Sequence, residues 1–175
     1  MASDSVVAAL FGNGPHAAAL LESQKTEGKD KETQTGEASC PAFGYLRGLD
    51  QRALAVEFRF RDGNKEWFSY GLLASWRHNP SVGLLLKFAG DIVSLVLIRG
   101  SNLDAPVAQG SLNLTDRGFQ RHRILWVREM DEEELRTVGE GGPTIDRIEV
   151  VEFESHGEAQ DWLKQSAPAF VRQAK

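Results

Sequence analysis

The chain has a single cysteine, Cys40, among its 175 residues, so it forms no internal disulfide and no multi-thiolate metal site. It lacks any apolar run near the roughly 18 residues that a membrane span requires. Its start, Met1-Ala2-Ser3-Asp4, lacks the basic opening of a signal peptide. These absences predict a cytoplasmic protein with no membrane partner. Catalytic signatures are missing as well. No G-x-x-x-x-G-K-[ST] loop is present to cradle phosphate, and the glycine-rich Gly139–Gly142 leads into Pro143 rather than a helix N-terminus. No G-x-S-x-G elbow exposes a serine. His16, His78, His122 and His156 are scattered, with no i, i+4 pair to hold zinc. No cofactor, metal or catalytic residue is therefore expected, and an enzyme would need residues that meet only in space.

What is present is a core and an uneven charge. A hydrophobic fraction of 41% is enough to fold one domain, and 26% charged residues keep its surface polar. Residues 1–39 carry net −3, residues 40–128 carry 12 Lys/Arg against 7 Asp/Glu for +5, and residues 129–175 carry 5 against 12 for −7. A basic middle sits between acidic ends, a pattern that marks anion-binding cores and ordinary surfaces alike.

The first 39 residues read as a flexible arm. Val6–Phe11 and Ala17–Leu21 are short apolar patches suited to docking a partner, and Glu22–Ser39 holds almost nothing apolar that would offset the entropy of ordering it. From Leu54 to Phe60 apolar and polar residues alternate, which predicts a strand with Leu54, Val56, Phe58 and Phe60 turned inward. Asp62-Gly63-Asn64 is a hairpin turn, because glycine tolerates positive φ. Lys65–Tyr70 returns as a strand. Gly71–Pro80 reads as a half-buried connection, Val82–Phe88 and Ile92–Ile98 as two more strands about a tight turn, and Ile124–Val127 as a fifth. Asn102 suggests a cap for a helix over Leu103–Gln109. In the acidic tail, Asp131–Arg136 reads as a helical turn and Ile145–Phe153 as a strand. Ser155 and Glu158 open a helix carrying Trp162, Leu163 and Phe170 on one face, ended by Pro168.

Basic residues cluster at Arg117, Arg121, His122, Arg123 and Arg128, and Arg77 and His78 adjoin Trp76. Cations beside an aromatic suit single-stranded nucleic acid, because phosphates take charge and bases take a stacking surface. One stretch adds to this. A strand ending Arg61-Asp62-Gly63, then Tyr70-Gly71-Leu72-Leu73, Val82–Leu86, and finally Ile98-Arg99-Gly100-Ser101-Asn102-Leu103, resembles the Sm and Sm-like small barrels over residues 56–103. The resemblance implies a five-stranded barrel, a homo-oligomeric ring and single-stranded RNA bound through the arginine–glycine loop. It points to Arg99 and Asn102, with Trp76 and Arg77 beside them. Where the family carries a base-contacting aspartate and asparagine, this chain has Arg77 and Ser81.

The sequence thus predicts an α+β protein. A small SH3-like or Sm-like β-barrel core over 40–128 carries a flexible N-terminal arm over 1–39 and an acidic strand–helix extension over 129–175 packed against it. The expected role is a non-enzymatic binding or scaffold module with a protein partner. Single-stranded RNA is the alternative, and an enzyme with sequence-distant catalytic residues is a second.

Overall fold

Alternation becomes a strand where every second side chain meets a second layer. Val56 and Phe58 are fully buried in Ala55–Arg59, while Ala55, Glu57 and Arg59 are only partly so. The computed structural model describes residues 36–48, 50–107 and 112–171. The fold belongs to the second of two units into which the chain divides, beginning at Glu37. In chain order its strands are β1 (Glu37–Ser39), β2 (Phe43–Leu46), β3 (Ala55–Arg59), β4 (Lys65–Ser69), β5 (Leu73–Asn79), β6 (Gly83–Ala89), β7 (Val93–Arg99), β8 (Ile124–Arg128) and β9 (Arg147–Phe153). The helices are α1 (Glu132–Val138) and α2 (His156–Ser166).

The strands form two sheets, ordered β1-β2-β8-β3-β4 and β5-β6-β7-β9. The mixed α+β character matches expectation, but the sheets do not close into one barrel. β4 runs through a 3-10 turn at Tyr70–Leu72 directly into β5, yet the two strands pair into different sheets. β8 lies between β2 and β3, antiparallel to the first and parallel to the second.

The inner faces of the two sheets enclose one core, containing Phe43 and Tyr45 of β2, Phe58 of β3, Leu84 and Leu86 of β6, and Ile98 of β7. The outer face of the four-stranded sheet is also covered. Leu85, Leu95 and Leu97 pack there against Ala159 and Leu163 of α2 and against Phe170 beyond it. That double covering explains the apolar runs Leu84–Leu86 of β6 and Leu95–Ile98 of β7.

The acidic tail is therefore integral to the fold. β9 pairs with β7 from Val93↔Phe153 to Arg99↔Arg147. Ion pairs Arg99–Glu149 and Arg128–Glu134 join basic and acidic parts, while α2 adds apolar burial through Ala159 and Leu163. Ser155 caps α2 by accepting from the Glu158 amide at 3.3 Å, and Pro168 stands just past its end.

Three expectations need correction. Glu37–Ser39, expected at the end of the arm, is β1. Residues 1–35, with the apolar patches at 6–21, lie outside the described residues. Leu73–Asn79, expected as a connection, is a strand, because β6 offers its backbone a continuous antiparallel partner. No helix begins at Asn102, whose φ of 55° is left-handed rather than the extended geometry of a cap. The chain turns there through an Ala105 amide to Asn102 carbonyl bond of 2.9 Å.

Arg123 departs from expectation in another way. It is 2% exposed, and its guanidinium donates to the carbonyls of Leu46 and Arg47 at 2.8 and 2.7 Å. It is a structural pin, with burial and then the Arg121 cation lowering its pKa. Arg123→Met keeps the bulk but removes the buried guanidinium and its two bonds to the Leu46 and Arg47 carbonyls, so urea melts should show a loss of about 2 kcal/mol. An unchanged midpoint would mean the carbonyls find other donors.

Candidate functional site

The residues that sequence offers to RNA do not share a surface. Trp76 pairs with Leu86 and faces the inner side of the four-stranded sheet, at its β5 edge. Arg77, next along the strand, takes the outer side with Leu85. Its Nη1 donates to the Phe170 carbonyl. Arg99 shares that outer face, where its Nε donates to Glu149 at 3.0 Å and its Nη2 to the Ser166 carbonyl at 3.4 Å. Asn102 lies in the turn after β7 and donates to the Gly142 carbonyl at 3.4 Å. Structure thus brings Arg77 and Arg99 to one face and leaves Trp76 and Asn102 elsewhere. Gly100 serves packing here: a Cβ on it would sit 1.9 Å from the Thr144 carbonyl oxygen, so only glycine lets that segment approach.

The basic cluster at 117–128 is similarly engaged. Arg123 is buried, and His122 stacks on Tyr70 at 4.4 Å. Arg128 donates to the Pro41 carbonyl at 2.6 Å and to Glu134 at 3.0 Å. Among the described residues no group of three or more His, Cys, Asp or Glu stands where it would hold a metal. Cys40 donates its thiol to the Phe43 carbonyl, and burial pushes its pKa up, which makes it a poor nucleophile near neutral pH. Among the described residues no helix is long and apolar enough to cross a membrane.

A different constellation emerges from exposure. The large hydrophobics left exposed among the described residues are Leu54, Trp67, Leu72, Trp76 and Ile92. All five lie on or beside one segment, the run from β4 through the 3-10 turn into β5. Trp67, Leu72 and Trp76 are part of it. Leu54, 87% exposed, accepts from the Tyr70 amide at 2.9 Å. Ile92 sits across Gly90, at which a Cβ would be 3.7 Å from the Leu72 side chain and 3.9 Å from the Ile92 carbonyl. The same segment supplies an edge strand of each sheet, β4 to one and β5 to the other. Strand edges expose unpaired backbone donors and acceptors. Leu54 was expected to point inward. The strand instead begins one residue later, which frees Leu54 from the alternation.

On the outer face of the five-stranded sheet, Trp67, Glu57, Trp126 and Gly44 stand in one cross-strand row. Lys65, Arg59 and Arg128 form the next. The Arg59 guanidinium lies 4.4 Å over the Trp126 ring. Glu57 binds Arg59 at 2.8 Å and Lys65 at 3.1 Å, and the Arg59 bond first, then Lys65, holds its carboxyl below the usual range.

No family model, curated protein or solved structure matches the chain.

Proposed function

We propose that this chain is a non-enzymatic binding module whose partner is a protein, docked along the β4–β5 segment. The observation carrying this reading is that three of the five large hydrophobics exposed among the described residues, Trp67, Leu72 and Trp76, lie on that segment and the other two, Leu54 and Ile92, adjoin it. Interface hot spots favour tryptophan at the centre of desolvated patches, and two of the five exposed residues are tryptophans. The two strand edges add backbone groups that an extended partner segment can pair with.

Trp67, 62% exposed, and Leu54 contribute little to the fold, so Trp67→Ala with Leu54→Ser should shift stability by no more than about 0.5 kcal/mol each. The same pair should weaken capture of the cognate protein by roughly 30-fold, the loss of one hot spot of about 2 kcal/mol. Quantitative comparison of proteins retained by wild type and variant from the native cell tests this. Identical sets at identical yield would refute it.

Single-stranded RNA is the second reading. The likeness of residues 56–103 to Sm proteins supports it, as does the row of Lys65, Arg59 and Arg128 beside two tryptophans. Each of those three cations is already in an ion pair with Glu57 or Glu134, which favours the protein partner. RNA affinity that falls steeply with salt would reverse the preference.

A further inference from the structure

Between the outer face of the four-stranded sheet and α2 lies a cavity of about 90 Å³, several times the roughly 10–15 Å³ that one water needs. Its walls divide by chemistry. Leu85, Leu95 and Leu163 give apolar surface, while Arg77 of β5, Lys87 of β6 and His156 of α2 converge on it. Among the described residues no carboxylate lines the cavity. Among the described residues neither Arg77 nor Lys87 has a carboxylate within ion-pair distance.

The donors are placed and only partly spent. An ammonium only donates, so the His156 Nδ1, 3.1 Å from Lys87 Nζ, accepts. Arg77 uses one amino nitrogen on the Phe170 carbonyl. Its other N–H groups meet no protein acceptor among the described residues. Gathering two cations in a recess walled by leucine costs desolvation and mutual repulsion. A bound anion offsets both through charge-assisted hydrogen bonds. The leucine half of the wall has no use for a wholly polar anion, and it complements an alkyl chain.

We infer that this cavity binds a small organic carboxylate, its head between Arg77 and Lys87 and its short alkyl chain against Leu85, Leu95 and Leu163. The site is independent of the protein-docking segment and does not rest on it.

Titration of the full chain with sodium acetate, sodium butyrate, inorganic phosphate and uncharged butyramide, read by calorimetry or amide chemical shifts, tests the assignment. Butyrate should bind saturably, with affinity rising roughly fourfold for each methylene buried beyond acetate. Phosphate and butyramide should bind far more weakly. Lys87→Met, which keeps the length of the side chain, should cost about tenfold or more in butyrate affinity. Should that variant fail to fold, His156→Ala at the exposed start of α2 gives the same comparison, with an expected loss of several-fold. Absence of saturation by butyrate would overturn the site. So would phosphate binding equal to butyrate, which marks an unselective cationic patch, or unchanged butyrate affinity in the folded variants.

Discussion

Phe58→Ala should destabilise the protein by about 3–5 kcal/mol in denaturant melts, among the largest effects available to one substitution in this fold. Phe58 is fully buried within β3, and it bridges the layers. Its ring meets Phe68 of β4 edge-on at 5.8 Å and Phe88 of β6, in the opposite sheet, at 6.5 Å. Phe68 and Phe88 are themselves 4.7 Å apart. Truncation therefore removes one ring of a triad that ties the two sheets together, and the β-sheet backbones around it have little room to collapse. A cost below about 1 kcal/mol would mean the site relaxes as a surface position does, and the two-sheet packing would be wrong.

Gly83→Ala should cost about 3 kcal/mol or more, although it adds only a methyl group. Gly83 opens β6 with φ of 131°, a backbone region essentially closed to other residues. A Cβ there would lie 2.1 Å from the carbonyl oxygen of Ile98 on β7, an atom that cannot rotate aside. The strain falls where Gly83 pairs with Asn79, so β5 should loosen from β6 before the rest of the sheet. Hydrogen exchange in β5 should accelerate more than in β3. Equal acceleration throughout would place the damage elsewhere.

How much of this was legible in sequence depends on which faces were buried. β3 was readable because one face is apolar and the other polar, and β6 and β7 because two layers cover them. β5 was missed for the converse reason. At an edge, Arg77, His78 and Asn79 read as loop residues, and only pairing with β6 makes them strand. β1 holds three residues with no large apolar side chain, and β2 includes Gly44, so backbone pairing defines both. The division into two sheets was not legible, since the placement of β8 between β2 and β3 depends on contacts some seventy residues apart. Among candidate site residues, sequence named Trp76, Arg77, Arg99 and Asn102. It could not place neighbours in a strand on opposite faces without the register. The docking segment was hidden differently: Leu54, Trp67 and Leu72 were plainly apolar, but their exposure is a tertiary fact. Lys87 and His156 gave no signal at all, because sixty-nine residues separate them.

The most direct test of the docking segment is site-specific photo-crosslinking in the native cell. A photo-reactive phenylalanine replaces Leu72 in one chain and, as a control, Asp161 on the exposed side of α2 in another. The account predicts a defined protein adduct from position 72 that position 161 does not give, lost when Trp67→Ala and Leu54→Ser are added. Equal adducts from both positions, or RNA as the only species trapped at position 72, would contradict it.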